Sequence, residues 1–306
     1  MKSGKIFAAT ALVLSATPLA RAQDAALTIG TGYSFLRADE LVFENGDRLS
    51  HLIWHSDAPI VTVQGTVDFG NDWSLNINTR TAAFGSSRMQ DFDWLLPHRR
   101  TFDFADWTHR STHPDTLLHH YFAGDISLGK DVSLWRTPVN LHAGLTYTTV
   151  SWRANDGSAI YSDNAFRDTI VAPIPGRPSI SFAQKLPGIF AGLEATQMAG
   201  RWELEGRFRA GVTLRPSDVD HHWRRDLKFD DQYSMQPFVT ARVRANYQLS
   251  GATSLFVGAD YDHYFKARGD STMTVNSTGA PLNFFKDGVG TALRSLTIST
   301  GFKVAF

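Results

Sequence analysis

The chain has no cysteine, no net charge and, past residue 22, no apolar run long enough for a membrane-spanning helix. The first absence rules out a disulfide framework and a thiolate metal centre. The second, 30 Lys and Arg against 30 Asp and Glu among 306 residues, leaves no basic footprint, so no nucleic-acid partner is expected. The third excludes a helical membrane protein. Charged residues make up only 20% of the chain while aromatics make up 12%, a composition that can bury a core and argues against disorder.

The N-terminus carries an export signal. Met1 to Lys5 holds two lysines, an apolar or small-residue run follows to Ala20, and Ala20-Arg21-Ala22 has the small-x-small form of a signal-peptidase site. The run is shorter than the roughly 20 apolar residues of a spanning helix and contains Thr, Ser and Pro. The expectation is a cleaved signal peptide over residues 1–22 and one domain over residues 23–306.

Periodicity gives the fold. Trp202, Leu204, Gly206, Phe208, Ala210, Val212 and Leu214 alternate with Arg201, Glu203, Glu205, Arg207, Arg209, Gly211 and Thr213, the period of a long strand. The same alternation recurs over 239–249 and 255–262, and the chain ends Leu296, Ile298, Thr300, Phe302, Val304, Phe306 on one face. A half-exposed soluble sheet also alternates. Strands of ordinary domains are about 5–6 residues, however, and these are roughly twice as long, which suits tilted strands crossing a bilayer. An exported chain of such strands reads as an outer-membrane barrel, whose closure leaves no unpaired edge in lipid.

Short turn signals fall at Gly70-Asn71-Asp72, Gly129-Lys130-Asp131, Met198-Ala199-Gly200 and Ser250-Gly251-Ala252. Other, mostly longer polar segments run from Glu44 to Asp47, Met89 to Pro114, Arg153 to Pro178, Pro216 to Gln232 and Arg268 to Gly288. Together these connections predict an all-β fold, a ten-stranded antiparallel transmembrane β-barrel with both termini in the periplasm. Its extracellular loops are expected to carry the site, and its inward charges to pair between neighbouring strands of a hydrated lumen.

Two of those loops hold chemistry. Asp91-Phe92-Asp93-Trp94 sets two carboxylates on one side of an extended segment, and Asp218-Val219-Asp220-His221-His222 does the same for Asp218, Asp220 and His222. Facing each other across the barrel mouth, these groups could surround a water, with an imidazole oriented by a carboxylate as base. Spacing alone favours the plainer reading of solvated loop charges over catalysis, and it does not separate a metal-free site from one in which these groups are hard ligands for a divalent cation. The adjacent His221 and His222 must diverge, so only one of them can join Asp220.

These residues resemble the omptin family of outer-membrane proteases. The resemblance extends through Glu40-Leu41-Val42-Phe43, Leu49-Ser50-His51-Leu52-Ile53-Trp54, Trp107-Thr108, His113-Pro114-Asp115-Thr116, residues 157–162 and Phe166-Arg167-Asp168. It implies a ten-stranded barrel that cleaves peptide bonds next to basic residues, often between two of them, on the outer face of Gram-negative cells. By resemblance Asp91 and Asp93 match the catalytic aspartate pair, and Asp220 with His222 the catalytic dyad. A water activated by His222 would then attack without metal or cofactor. Glu40 and Asp218 match the pocket for the basic side chain before the cut. Lipopolysaccharide is the expected lipid activator, with Lys185 retained among the basic residues that hold it. After Trp107-Thr108 the chain carries His109-Arg110, where relatives have an acid that binds a basic side chain after the cut.

The alternatives are a silent adhesin using the same loops and a passive pore, the latter opposed by a lumen crowded with Arg, Glu and Asp. If His222 is the base, its pKa should be raised by Asp220 above the reference of about 6.5.

Overall fold

The computed structural model describes residues 24–134 and 137–306; the leader expected over residues 1–22 lies outside them. The strands are β1 (Asp24–Glu44), β2 (Asp47–Phe69), β3 (Trp73–Ala82), β4 (Ser86–Asp93), β5 (His109–Leu134), β6 (Thr137–Asn155), β7 (Ser158–Tyr161), β8 (Thr169–Val171), β9 (Pro178–Ala199), β10 (Trp202–Thr213), β11 (Ser217–His222), β12 (Leu227–Tyr233), β13 (Pro237–Gln248), β14 (Thr253–Val275) and β15 (Pro281–Ala305). A short 3-10 turn spans Phe104–Asp106.

Going round the sheet, β1 pairs with β2, β2 with β3 and β4, both of these with β5, then β6, β9, β10, β13, β14 and β15, which returns to β1. Three walls are broken in mid-height: β3 continues as β4, β10 as β11, and β12 as β13. Counting each broken pair once gives ten antiparallel walls, the number expected. Closure through the β1–β15 register, from Ala26↔Ala305 to Val42↔Val289, removes the edges that lipid could not satisfy.

The walls obey the alternation. Outward positions such as Ile29, Phe35, Val61, Ile77, Leu145, Phe208, Val257 and Phe302 are exposed and form an apolar belt, while their neighbours in sequence point inward. Inside the belt, Arg242 Nε donates to Asp260 Oδ1 at 2.6 Å, as expected for neighbours in register. Arg80 reaches Asp262 at 2.8 Å and Arg209 reaches Asp125 at 2.9 Å. These last two join walls that are not adjacent, so the charges pair across the lumen as well as along the sheet. Cavities of about 20 and 10 Å³ lie among them.

Two expectations about connections are corrected. Gly129-Lys130-Asp131 is no turn: it lies inside β5, in register with Asn140, Leu141 and His142. A Cβ on Gly129 would collide with the Asn140 and Ser74 side chains, so glycine there marks a close approach of walls. The long polar segments also contain much strand, and those over 216–232 and 268–288 are mostly strand. β4 runs to Asp93, β5 starts at His109, and β11–β12 and β14–β15 are hairpins rising above the belt. Up there both faces meet water or polar groups, so the apolar signal that marks a strand disappears while the hydrogen-bonded ladder continues. Asn45 and Gly46, at φ 54° and 90°, close the two-residue turn between β1 and β2.

Above the charged lumen lies an aromatic floor. Trp54 from β2 stacks on Trp152 from β6 and Phe182 from β9, each pair at 5.8 Å between ring centres. All three rings are fully buried. Trp152 Nε1 donates to Ser56 Oγ at 2.6 Å and Trp54 Nε1 to Glu40 Oε2 at 3.3 Å, so the indoles seal the barrel without orphaning their polar edges.

Candidate active site

A cavity of about 580 Å³ opens above this floor, lined by Glu40, Asp91, Asp93, Asp220, His222 and Asp231 among others. β4 brings two of them. Met89, Asp91 and Asp93 share its inner face, Met89 packed into the core at 0% exposure, while Phe92 turns outward into a cluster with Ile53, Trp94, Phe102 and Trp107. Ser50 Oγ, from β2, donates to Asp91 Oδ1 at 3.1 Å. Burial raises Asp91 above the ordinary carboxylate range, opposed by the neighbouring His222. Asp93 is raised further, by burial and then by the charge of Asp91. At neutral pH Asp93 therefore keeps its proton far more readily than Asp91.

The opposite wall is the β11–β12 hairpin, where Asp218, Asp220 and His222 point inward. Asp220 Oδ2 lies 2.6 Å from His222 Nε2. His222 Nδ1 is contacted by an N–H of Arg225, from the hairpin turn. Together these contacts assign the neutral ring a proton on Nε2. His221 does diverge, stacking on Trp223 at 4.9 Å and meeting Asn276 Oδ1 at 2.9 Å. Burial, then the Arg225 charge, lowers the His222 pKa to about 3. The expected rise is thus overturned, because Asp220 is itself held well above its ordinary range by burial and by Asp231 and offers the ring little negative charge.

Glu40 and Asp218, one on each wall, fall in one acid cluster with Asp220. A fourth member, Asp231 of β12, was not foreseen. It stands opposite Asp218 in register, and Tyr233 Oη donates to Asp218 Oδ2 at 2.7 Å and to Asp231 Oδ2 at 3.2 Å. Burial pushes Glu40 and Asp218 well above the usual carboxylate range, with neighbouring acids adding to it, and lifts Asp231 to about 6. Asp218, Asp220 and Asp231 each keep one buried oxygen that meets no N–H or hydroxyl donor. Four crowded acids of this kind are complementary in charge to a cation with several donors.

Among the described residues no group of three or more His, Asp and Glu is spaced to hold a metal ion. Lys185 is exposed on β9, in register with Thr149 and Ser217, while its neighbour Gln184 is buried. The side chain therefore belongs to the outer wall. Arg225, Tyr233 and the close packing of Ser50 were also missed.

A ten-walled barrel with an apolar belt and an acid- and histidine-lined cleft at one end defines an outer-membrane barrel with its chemistry outside the bilayer. The family model described as the Omptin family matches residues 21–306. The chain belongs to the omptin family of outer-membrane proteases. It is 24% identical to the plasminogen activator of Yersinia pestis over 282 residues, 90% of this chain and 88% of that one. It is 25% identical to the outer membrane protease OmpP of Escherichia coli strain K12 over 274 residues, 86% and 83% of the two chains. The crystal structure of the outer membrane protease OmpT from Escherichia coli superposes with a TM-score of 0.83 at 21% identity, covering 95% of this chain and 99% of that one, a likeness of fold.

Proposed function

We propose that the protein is an endopeptidase that cuts after Arg or Lys, using a water activated by His222, with its cleft facing the cell exterior. The observation that carries this reading is the meeting, in one cavity, of the Asp91–Asp93 pair, the Asp220–His222 pair and the acids Glu40 and Asp231, with Asp218 buried behind them and joined to Asp231 through Tyr233.

The pocket comes first. A guanidinium entering among the acids supplies the donors that their free oxygens lack and favours their ionised forms. Asp220, their neighbour, ionises with them. Its charge then raises the basicity of His222 and holds the Nε2 proton, so a basic guest arms the base. Nδ1 is the nitrogen left to take the proton of water once Arg225 swings aside on its exposed turn. Asp91 orients that water from the other wall. Protonated Asp93 donates to the oxyanion formed as the carbonyl is attacked. The imidazolium returns its proton to the departing amine, with Asp220 stabilising the charge throughout. No step needs a metal or a cofactor. Lys185 on the outer wall would hold a phosphate of lipopolysaccharide, the lipid proposed as activator.

The test uses quenched fluorescent peptides that differ only before the cut, carrying Arg, Lys or Gln, and protein refolded in detergent with lipopolysaccharide. Cleavage of the Arg and Lys peptides that persists in EDTA is expected. Equal cleavage of the Gln peptide would remove the acid pocket from the mechanism, and loss with EDTA after the lipid is re-supplied with Mg²⁺ would replace the metal-free water with a metal-bound one.

A further inference from the structure

We infer that the side chain after the cut sits against an apolar subsite built on Ala159 and Val171 and is a medium aliphatic residue, not a second basic one. The inference rests on the basic pocket proposed above for the residue before the cut.

One row of cross-strand partners carries the argument. Glu40 of β1 stands opposite Leu52 of β2, Leu52 opposite Asp91 of β4, Asp91 opposite Ser111 of β5, Ser111 opposite Ala159 of β7, and Ala159 opposite Val171 of β8. All six line the cavity. Partners in one row share a face, and neighbouring strands are about 4.8 Å apart, so Glu40 and Ala159 flank Asp91 at about 10 Å on opposite sides. Successive side chains of an extended peptide point in opposite directions. With the scissile bond over Asp91, the residue reaching the acids near Glu40 sends its successor toward Ala159 and Val171.

That far end offers nothing to a cation. Among the described residues lining it, the one acid is Asp156, which is 6% exposed. Its Oδ1 accepts from Arg224 Nη1 at 2.8 Å and its Oδ2 from the Ile174 amide at 3.0 Å. Arg224, held against Asp156, borders the cavity at that end and would repel a second guanidinium. The small Ala159 side chain leaves depth at the base, and Tyr161, whose ring lies 5.2 Å from that of His109, closes the side. An unpaired charge in such a place is desolvated without return, whereas a Val or Leu side chain gains apolar contact.

The test is the relative kcat/KM of peptides with Arg before the cut and Val, Leu, Arg or Asp after it. Val and Leu peptides are expected to be cut at least about tenfold faster than the Arg and Asp peptides. Arg-Arg cut as well as Arg-Val, or Arg-Asp cut best, overturns the subsite while leaving the endopeptidase standing. No cleavage of any Arg peptide by a barrel of folded gel mobility overturns the basic-pocket reading and this one with it. In a second arm Val171→Asp, on a short strand outside the barrel wall, should raise Arg-Arg relative to Arg-Val by about tenfold. An unchanged ratio in the folded variant refutes the placement of Val171.

Discussion

Replacing Asp231 by Asn should stabilise the empty barrel, and only above acid pH. The carboxyl is 2% exposed and its pKa rises from an ordinary 3.8 to about 6, with burial the largest cause. A raised acid pKa means that the folded chain holds the proton more tightly than the unfolded one. Stability is therefore fully present below about pH 4 and is lost as pH climbs toward and past 6. At pH 8 the ionised group costs about 3 kcal/mol, from about 1.4 kcal/mol per pH unit of displacement. Asn carries no charge at any pH and keeps an oxygen for Tyr233 Oη, so the variant escapes that cost. Urea unfolding in detergent should show Asp231→Asn more stable by about 3 kcal/mol at pH 8 and nearly equal to the parent at pH 4. A saturating arginine amide should narrow the gap at pH 8 by stabilising the parent alone. A difference below about 0.5 kcal/mol at pH 8, or one of the same size at both pH values, would refute the claim that this acid is held at a cost.

The same charges make further predictions. Asp91→Ala, Asp93→Ala and His222→Ala should each lower kcat by roughly 10²–10⁴ while the heat-shifted gel mobility of a folded barrel is kept, and full activity in His222→Ala would exclude it as base. Arg225→Gln removes the donor and charge that depress His222, so kcat should rise, and a fall would make Arg225 a contributor to catalysis. For the parent, kcat/KM on Arg peptides should drop as pH falls below about 6, where Asp231 regains its proton, whereas kcat should hold to lower pH because the guest keeps the cluster charged. If both parameters fall together with the pKa of an ordinary imidazole, His222 sets the limb instead. Planar bilayers should show no steady conductance, since paired charges cross the lumen between walls that are not adjacent; open-pore currents would contradict the paired plug.

What the sequence disclosed, and what it hid, follows from where each residue sits relative to the belt. Within the belt one face meets lipid and the other the lumen, so Trp202 to Thr213 alternates cleanly and the strand is legible. Above the belt that contrast ends. Ser217–His222 and Leu227–Tyr233 form a hairpin in register, yet their residues read as a polar loop. Asp231 was lost for that reason alone. Had the turn been placed at Trp223–Asp226, pairing outward from it would have set Asp231 opposite Asp218 and Phe229 opposite Asp220. The i, i+2 spacing of Asp91 with Asp93, and of Asp218, Asp220 and His222, survived because a strand places such residues on one face wherever it runs. The sign of the His222 displacement could not be read from spacing, since it depends on which neighbour is ionised, and that depends on burial.

The arrangement also explains why a barrel is a suitable frame for such a site. Four acids drawn together in a buried pocket repel one another and lack donors, an arrangement that a small or loosely built domain would relieve by opening. Here Glu40 is fixed by β1, Asp218 and Asp220 by β11, and Asp231 by β12, and each of these strands is laddered to neighbours on both sides. The stacked Trp54, Trp152 and Phe182 rings beneath them keep the lumen arginines from swinging up to neutralise the cluster. The tip of the hairpin is tied as well, for Asp226 accepts from the Ser277 amide at 2.9 Å in the facing β14–β15 turn. Relief must then come from outside, from a cation presented at the open end of the cavity. On this argument the proposed selectivity for a basic residue and the charging of Asp220 beside His222 are one event, and a substrate lacking the cation would be deficient in turnover as well as in binding.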